Sequence, residues 1–310
     1  MGNVSWTIDT RRMSLYTRLY VLGMRLARDK QAFEGEHHTL ETARKQQGKG
    51  DRPPTHLTRA RRRVTSSSLD GTTVWSVRPR RREPVARVVY LHGGGYIHPL
   101  TTDYWRLVRA LSAAPAEVVV PAYPLAPDAT VDEVVPRLLD VVRHAGDTSL
   151  PTILMGDSAG GALAIVLAQQ LRAADEPMPA GVVALCPWLD ATLDDPEVAE
   201  LESTDPMLAE SGLRAAGRWW AGSRSATDAL VSPLDGSLDG LPPIDVVIGD
   251  RDILRPAVDG LADKAHQSDV RLRVLEVPPM FHVWMTRAIP EGARTRRRLR
   301  ELVAARTMPP

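Results

Sequence analysis

The stretch "ILMGDSAGGALA", residues 153–164, sets Ser158 between glycines two positions to either side, after an apolar run and before a helix-forming one. Gly-x-Ser-x-Gly in a strand–turn–helix setting is the pattern of a nucleophile elbow. Gly156 and Gly160 leave room for a turn too tight for side chains. Ser158 is then held exposed above a helix N-terminus, whose partial positive charge favours a nearby anion. A serine hydroxyl at its own pKa is a poor nucleophile, so a base must take its proton and a carboxylate must orient that base.

On such elbows the partners follow the serine in the order Asp or Glu, then His. "VVIGDRDILR", residues 246–255, offers Asp250 and Asp252 just beyond one apolar run. "VPPMFHVWM", residues 277–285, offers His282 just beyond the next. Of the eight histidines, His37, His38 and His56 lie in a polar N-terminal region, His144 and His266 near helix ends, and His92 and His98 ahead of the serine. His282 has the order and position for the base. Spacing alone leaves Asp250 and Asp252 both open.

A third stretch, "VVYLHGGGYIHP" at residues 88–99, runs from an apolar strand into three glycines. Bare backbone there suits a phosphate cradle, a metal site on His92 and His98, or an oxyanion hole. A phosphate loop needs Gly-x-Gly-x-x-Gly or a following Lys-Ser/Thr, and neither is present. A metal site wants a third ligand and a supporting carboxylate, for which Asp103 is the nearby offer. An oxyanion hole needs only backbone N–H groups aimed at one point beside the nucleophile.

These residues need a scaffold that brings distant strand ends to one edge. Short apolar runs, "ARVVYLH", "EVVVPAY", "PTILMG", "AGVVALC", "IDVVIG" and "RLRVLEV", alternate with helical stretches. Runs apolar throughout imply strands covered on both faces, hence an α/β fold with a mostly parallel central sheet flanked by helices. Val64–Leu69 and Thr73–Val77, joined by Asp70-Gly71, predict a hairpin at its edge. Between Pro187 and Pro233 there is no strand pattern, only helical stretches and the pair Trp219-Trp220, so that interval reads as a helical cap. Leu15, Leu19, Leu22 and Leu26 predict a helix whose apolar stripe packs on the protein's own body. Residues 34–63, polar and broken by Gly48, Gly50 and Pro53-Pro54, read as a connection of low order. The expected division is an N-terminal cap helix and connection over residues 1–55, and a catalytic domain over 56–310 with a cap insertion at about 188–230.

Composition sets outer bounds. With 43% hydrophobic residues and a formal net charge of +1, the chain can bury one large core, and it has no global pull toward nucleic acid. The arginine clusters Arg61–Arg63, Arg80–Arg82 and Arg294–Arg300 read as solvated surface charge. Cys186 is the one cysteine, so no internal disulfide can form. The uncharged run between Arg18 and Arg25 is too short for a secretory signal, and no stretch approaches the roughly 20 apolar residues of a membrane span. A cytoplasmic protein is the expectation. Weak contact of the N-terminal helix with a membrane surface and a homodimer are the partner states left open.

Taken together the chain resembles the hormone-sensitive-lipase-like (bacterial family IV) esterases of the α/β-hydrolase superfamily. The resemblance rests on "HGGGY" at 92–96, "YPLAPD" at 123–128, "GDSAGG" at 156–161, "DPM" at 205–207, "SPL" at 232–234, "GDRDIL" at 249–254 and "MFH" at 280–282. It covers roughly residues 60 to 305. It implies an α/β-hydrolase fold with a helical cap, and a serine carboxylesterase acting on short- to medium-chain acyl esters without metal or other cofactor. Ser158 would be the nucleophile, His282 the general base and then acid, and Asp252 rather than Asp250 the orienting carboxylate. The oxyanion hole would be the N–H groups of Gly94, Gly95 and Ala159. His92, Gly93, Asp157, Gly156 and Gly160 would support these motifs.

Pro279 and Trp284 depart from the family's usual Gly or Asp three residues before the histidine and Phe two after it. Trp284 is therefore expected in the substrate pocket, with Tyr96, Trp219 and Trp220. Amides, lactones or carbamates could be cleaved by the same triad. A binding protein that had lost turnover would be expected to lack the base, which His282 provides.

Overall fold

The computed structural model describes residues 3–146 and 150–306. Among these residues nine strands form one sheet: β1 (Val4–Ile8), β2 (Arg63–Leu69), β3 (Thr72–Arg78), β4 (Ala86–Leu91), β5 (Ala116–Ala122), β6 (Thr152–Asp157), β7 (Gly181–Leu185), β8 (Ile244–Ile248) and β9 (Leu272–Glu276). Their order is β1-β9-β8-β7-β6-β4-β5-β3-β2. Pairing is parallel from β1 through to β5, and antiparallel at β5/β3 and β3/β2. The runs apolar throughout are strands β4 to β9, and β4, β7 and β8 are buried along their whole length. The expected hairpin is β2–β3. Asp70 (φ 45°) and Gly71 (φ 75°) both take positive φ, as a two-residue turn matched to strand twist requires.

The helices are α1 (Leu15–Ala27), α2 (Glu36–Gln47), α3 (His56–Arg61), α4 (Tyr104–Leu111), α5 (Val131–Gly146), α6 (Ala159–Ala173), α7 (Pro196–Glu202), α8 (Glu210–Ala221), α9 (Pro256–His266) and α10 (Pro290–Ala305). α6 packs on β4, β6 and β7 with α5 beside it, and α4 pairs with α10. The interval between β7 and β8 holds α7 and α8 and, among the described residues, no strand.

Three expectations are corrected here. The N-terminal segment carries more than a cap, because β1 joins the sheet beside β9, with Trp6 opposite Val274. Residues 34–63 are ordered: they hold α2 and α3, anchored through small buried side chains, Thr39, Ala43 and Thr58. Small residues carry no apolar stripe, so this packing left no period in the sequence. The leucine stripe of α1 points away from the body. Thr17, Val21 and Met24 face inward instead, and the Thr17 hydroxyl donates to the buried carboxylate of Glu291 on α10.

Candidate active site

Parallel pairing brings the carboxyl ends of β4, β6, β7, β8 and β9 to one edge, with Leu91 opposite Gly156 and Asp157 opposite Leu185. Ser158 follows at once. Its backbone sits at φ 53°, ψ −123°, a conformation that L-residues rarely adopt and that costs of order 1–3 kcal/mol. Ordered partners hold it there. The Ser158 N–H donates to Leu185 O at 2.8 Å, and its carbonyl accepts from Gly161, Ala162 and Trp188. The flanking glycines are required by close approach, because a Cβ at Gly156 would lie 2.1 Å from Gly160 O, and one at Gly160 2.1 Å from Leu91 O.

Asp252 follows β8 and His282 follows β9. The two loops are tied by the Arg251 N–H donating to Met280 O at 3.1 Å. His282 Nδ1 donates to Asp252 Oδ2 at 2.7 Å, while Asp252 Oδ1 accepts from the Leu254 N–H at 3.0 Å. Asp250 takes no part in this pair. Fixing the proton on Nδ1 leaves Nε2 as the ring's acceptor. Burial pulls the His282 pKa down, but the Asp252 charge and hydrogen bond, with Asp205 and Asp157 beyond, outweigh it and hold the pKa above the ordinary imidazole value.

Asp205 is a residue whose part spacing could not give, although its "DPM" motif was visible. Fully buried, it accepts from the N–H groups of Met207 (2.7 Å) and Leu208 (3.0 Å) in the cap segment and of Ile253 (3.2 Å) beside Asp252. It therefore pins the Met207–Leu208 segment to the loop that carries Asp252. Burial, and then the neighbouring Asp252 charge, raise its pKa to about 6.

The loop after β4 wraps the other side of Ser158. Gly93 donates to Asp157 Oδ1 at 3.1 Å, and the Tyr90 hydroxyl to the same oxygen at 2.5 Å. Burial raises the Asp157 pKa to about 6 against these two donors and the His282 charge. Gly94 takes φ 109° and Gly95 φ 61°. Among the described residues, the N–H groups of Gly94, Gly95 and Ala159 have no acceptor. Gly94 and Gly95 share a cavity with Ser158, and Ala159 follows it directly; free backbone donors so placed can receive developing negative charge.

The two inviting histidines are packing residues. His92 stacks on Tyr123 at 4.3 Å, its Nδ1 donates to Gly93 O at 2.8 Å, and burial lowers its pKa. His98 sits edge-on to Phe33 at 5.4 Å, and burial lowers its pKa to about 4. One group among the described residues has ligand spacing for a metal, Cys186, Asp252 and His282. Two of its members already bond each other, and burial, then the Asp252 charge, push the Cys186 thiol well up.

Ser158, His282, Asp157, Gly94 and Gly95 line one cavity of about 390 Å³. Its apolar wall is Phe33, Leu208, Leu213 and Val283, with Ala32 beside Phe33. Here the expected pocket residues are corrected. Tyr96 and Trp220 stack on each other at 4.2 Å and 4° inside the core, with Trp188 against Tyr96. Trp219 is partly buried against the same core. Trp284 is buried and donates to Thr295 on α10 at 2.9 Å, and Pro279 lines a separate groove. Large rings are worth most when fully buried, so a pair of tryptophans marks core more readily than pocket.

This chain is similar to known proteins in sequence family and in fold. A family model described as the α/β hydrolase fold matches residues 88–286. An acetyl-hydrolase from Streptomyces hygroscopicus is 31% identical over 72% of this chain and 76% of its own length. An esterase from Acinetobacter venetianus is 30% identical over 60% of this chain and 63% of its own, so the chain spans less than two thirds of that relative. The crystal structure of an esterase from the bacterial hormone-sensitive lipase family superposes with a TM-score of 0.79 over 96% of this chain and 100% of that one, at 24% identity.

Proposed function

The chain belongs to the α/β-hydrolase family, and we propose that it is a serine carboxylesterase of the hormone-sensitive-lipase-like group, working through an acyl-enzyme. The observation that carries this reading is the 2.7 Å His282–Asp252 hydrogen bond opening on the same cavity as a serine held in a strained elbow. Ser158 Oγ attacks the ester carbonyl and passes its proton to His282 Nε2. The imidazolium so formed is stabilised by Asp252. The N–H groups of Gly94, Gly95 and Ala159 take the oxyanion. The tetrahedral adduct collapses by breaking the bond to the alcohol oxygen, which leaves with the proton from His282. Water then attacks the acyl-serine by the same route and releases the carboxylic acid. A cavity of about 390 Å³ lies at the small end of ligand sites, about 300–1,000 Å³, which supports short to medium acyl chains.

Phenylmethylsulfonyl fluoride offers a direct test. One sulfonyl adduct per chain is expected, on the peptide that carries Ser158, with loss of p-nitrophenyl butyrate hydrolysis in step. Loss of activity with the adduct elsewhere would overturn the assignment of the nucleophile.

The glycine loop gives a second expected result. A Cβ at Gly94 would meet His98 Cβ and O at 2.9 Å on a residue at φ 109°, so Gly94→Ala must shift an oxyanion donor. Its kcat is expected to fall about 10²–10³-fold, the cost of one such donor. His98→Ala removes a neutral packing ring, and its kcat is expected to stay within about tenfold of native, since no charge stabilisation is lost. Steady-state kinetics on p-nitrophenyl acetate separate the two.

A further inference from the structure

The outer face of α1 is chemistry that the catalytic cavity leaves unused. At about 100° per residue, Leu15, Leu19, Leu22 and Leu26 fall within an arc of about 60°, and they are 71%, 59%, 52% and 77% exposed. Tyr16, at 57%, extends the patch. A surface facing water rarely leaves so continuous an apolar stripe bare. Arg12, Arg18, Arg25 and Arg251 line a groove of about 470 Å³ beside it, with Leu22 at its edge. Among the described residues none of these four guanidiniums forms an ion pair with a carboxylate, although Arg251 feels the charge of its neighbour Asp250. Arg25 alone has a polar contact, to Thr204 O at 3.3 Å. No Asp or Glu occurs between Arg11 and Arg28.

We infer that α1 docks the protein on a lipid surface bearing anionic phosphodiester headgroups, with the leucines entering the acyl boundary and the arginine groove holding the headgroups. An apolar helical stripe flanked by unpaired cations is the pattern that lies in a membrane interface, and the guanidinium fork matches phosphate oxygens. The same charges disfavour a second copy as the cover. A two-fold contact sets a patch against itself, so stripe on stripe would bring the Arg18 and Arg25 pairs together with no acidic residue on either helix to offset them. Docking would also bear on the active site. α1 runs through Arg28 into the 3₁₀ turn Asp29–Phe33, whose Ala32 and Phe33 form part of the cavity wall. Tyr20 stacks at 6.2 Å on Phe281, the residue before His282.

The test is sedimentation of the full chain with phosphatidylcholine vesicles, with and without phosphatidylglycerol. Binding is expected only with phosphatidylglycerol, and is expected to weaken as salt rises. Leu19→Glu/Leu22→Glu and Arg12→Glu/Arg18→Glu are each expected to lower the bound fraction about tenfold or more. Neither pair touches the catalytic machinery, so hydrolysis of p-nitrophenyl butyrate without vesicles is expected to be unchanged. Loss of docking is thereby read apart from any failure of the esterase reading. Native protein left in the supernatant, or binding that both variants retain, would overturn the inference. So would a native dimer in size-exclusion chromatography that Leu19→Glu/Leu22→Glu turns into a monomer, which would give the stripe to a second copy.

Discussion

Ser158→Ala is expected to lower kcat on p-nitrophenyl butyrate by about 10⁶-fold, the scale on which a serine hydrolase falls when its nucleophile alone is removed. The fold should survive the change. Ser158 is held by its backbone, through Leu185 O and the N–H groups of Gly161, Ala162 and Trp188, and among the described residues its hydroxyl supplies no cap to α6. Thermal melting of the variant should therefore stay near that of the native protein while turnover vanishes. What remains is the contribution of the oxyanion donors and of binding, which do not act through the hydroxyl. A variant that keeps more than a tenth of native kcat would overturn the mechanism.

Asp252→Asn is the second large effect, about 10⁴-fold in kcat. An amide in place of the carboxylate Oδ2 can offer N–H to Nδ1, which turns the ring to the wrong tautomer and leaves the imidazolium without its counter-charge. The pH profile carries a further signature. His282 acts as a base only when neutral, so kcat/KM falls as pH drops through its pKa. Because Asp252 and its carboxylate neighbours overcome burial and hold that pKa above the ordinary value, the acid limb of the native enzyme should lie above about 6.5, the value of a free imidazole. Removing the Asp252 charge leaves burial as the stronger influence, and the residual activity should show its acid limb moved to lower pH. Asp250→Asn is the control. It is expected to change kcat by less than a factor of about three, since Asp250 makes no bond to the ring and surface or uncoupled changes are usually small. A larger loss from Asp250→Asn than from Asp252→Asn would reverse their roles.

The parts of this site that sequence made legible are those set by local necessity. Gly156 and Gly160 are dictated by backbone contacts of 2.1 Å, and such contacts leave no choice of residue. Strand β7, GVVAL, is covered on both faces and carries no polar position to blur its pattern, and β4 keeps its apolar run with Arg87 as the one charged interruption. The hairpin turn needed two positive φ angles, and Asp70-Gly71 announced them. Where the reading went astray, the deciding contact was distant in the chain. Periodicity in α1 distinguishes two faces but does not say which one meets the body. That was decided by Thr17 reaching Glu291, 274 positions away. β1, VSWTI, does alternate apolar and polar residues, and its burial follows that alternation from Val4 to Thr7, but so short a run does not say which strand it will join. The cavity wall is assembled from Phe33, Leu208 and Val283, residues that meet only once the sheet has gathered its strand ends. Trp219-Trp220 drew attention as a pair, yet adjacent residues on a helix point to different sides, and Trp220 went to the core.

β1 also bears on self-association. β9 would otherwise end the sheet as a row of unpaired N–H and C=O groups in a strand that reads "LRVLE", a template for adding strands from other chains. Five residues of β1 occupy that row. The Leu272 N–H donates to Asn3 O and the Asp9 N–H to Glu276 O, both at 2.8 Å, while the Asn3 side chain donates to Ser268 O at 2.8 Å and Val270 O at 3.1 Å. The new edge is short, and at its far end Arg11 pairs with Asp9 and puts charge where another strand would have to dock. Asn3 to Asp9 thus cover the edge of β9, and freeing them would leave unpaired the strand that leads into the His282 loop, the kind of edge that recruits strands from other chains.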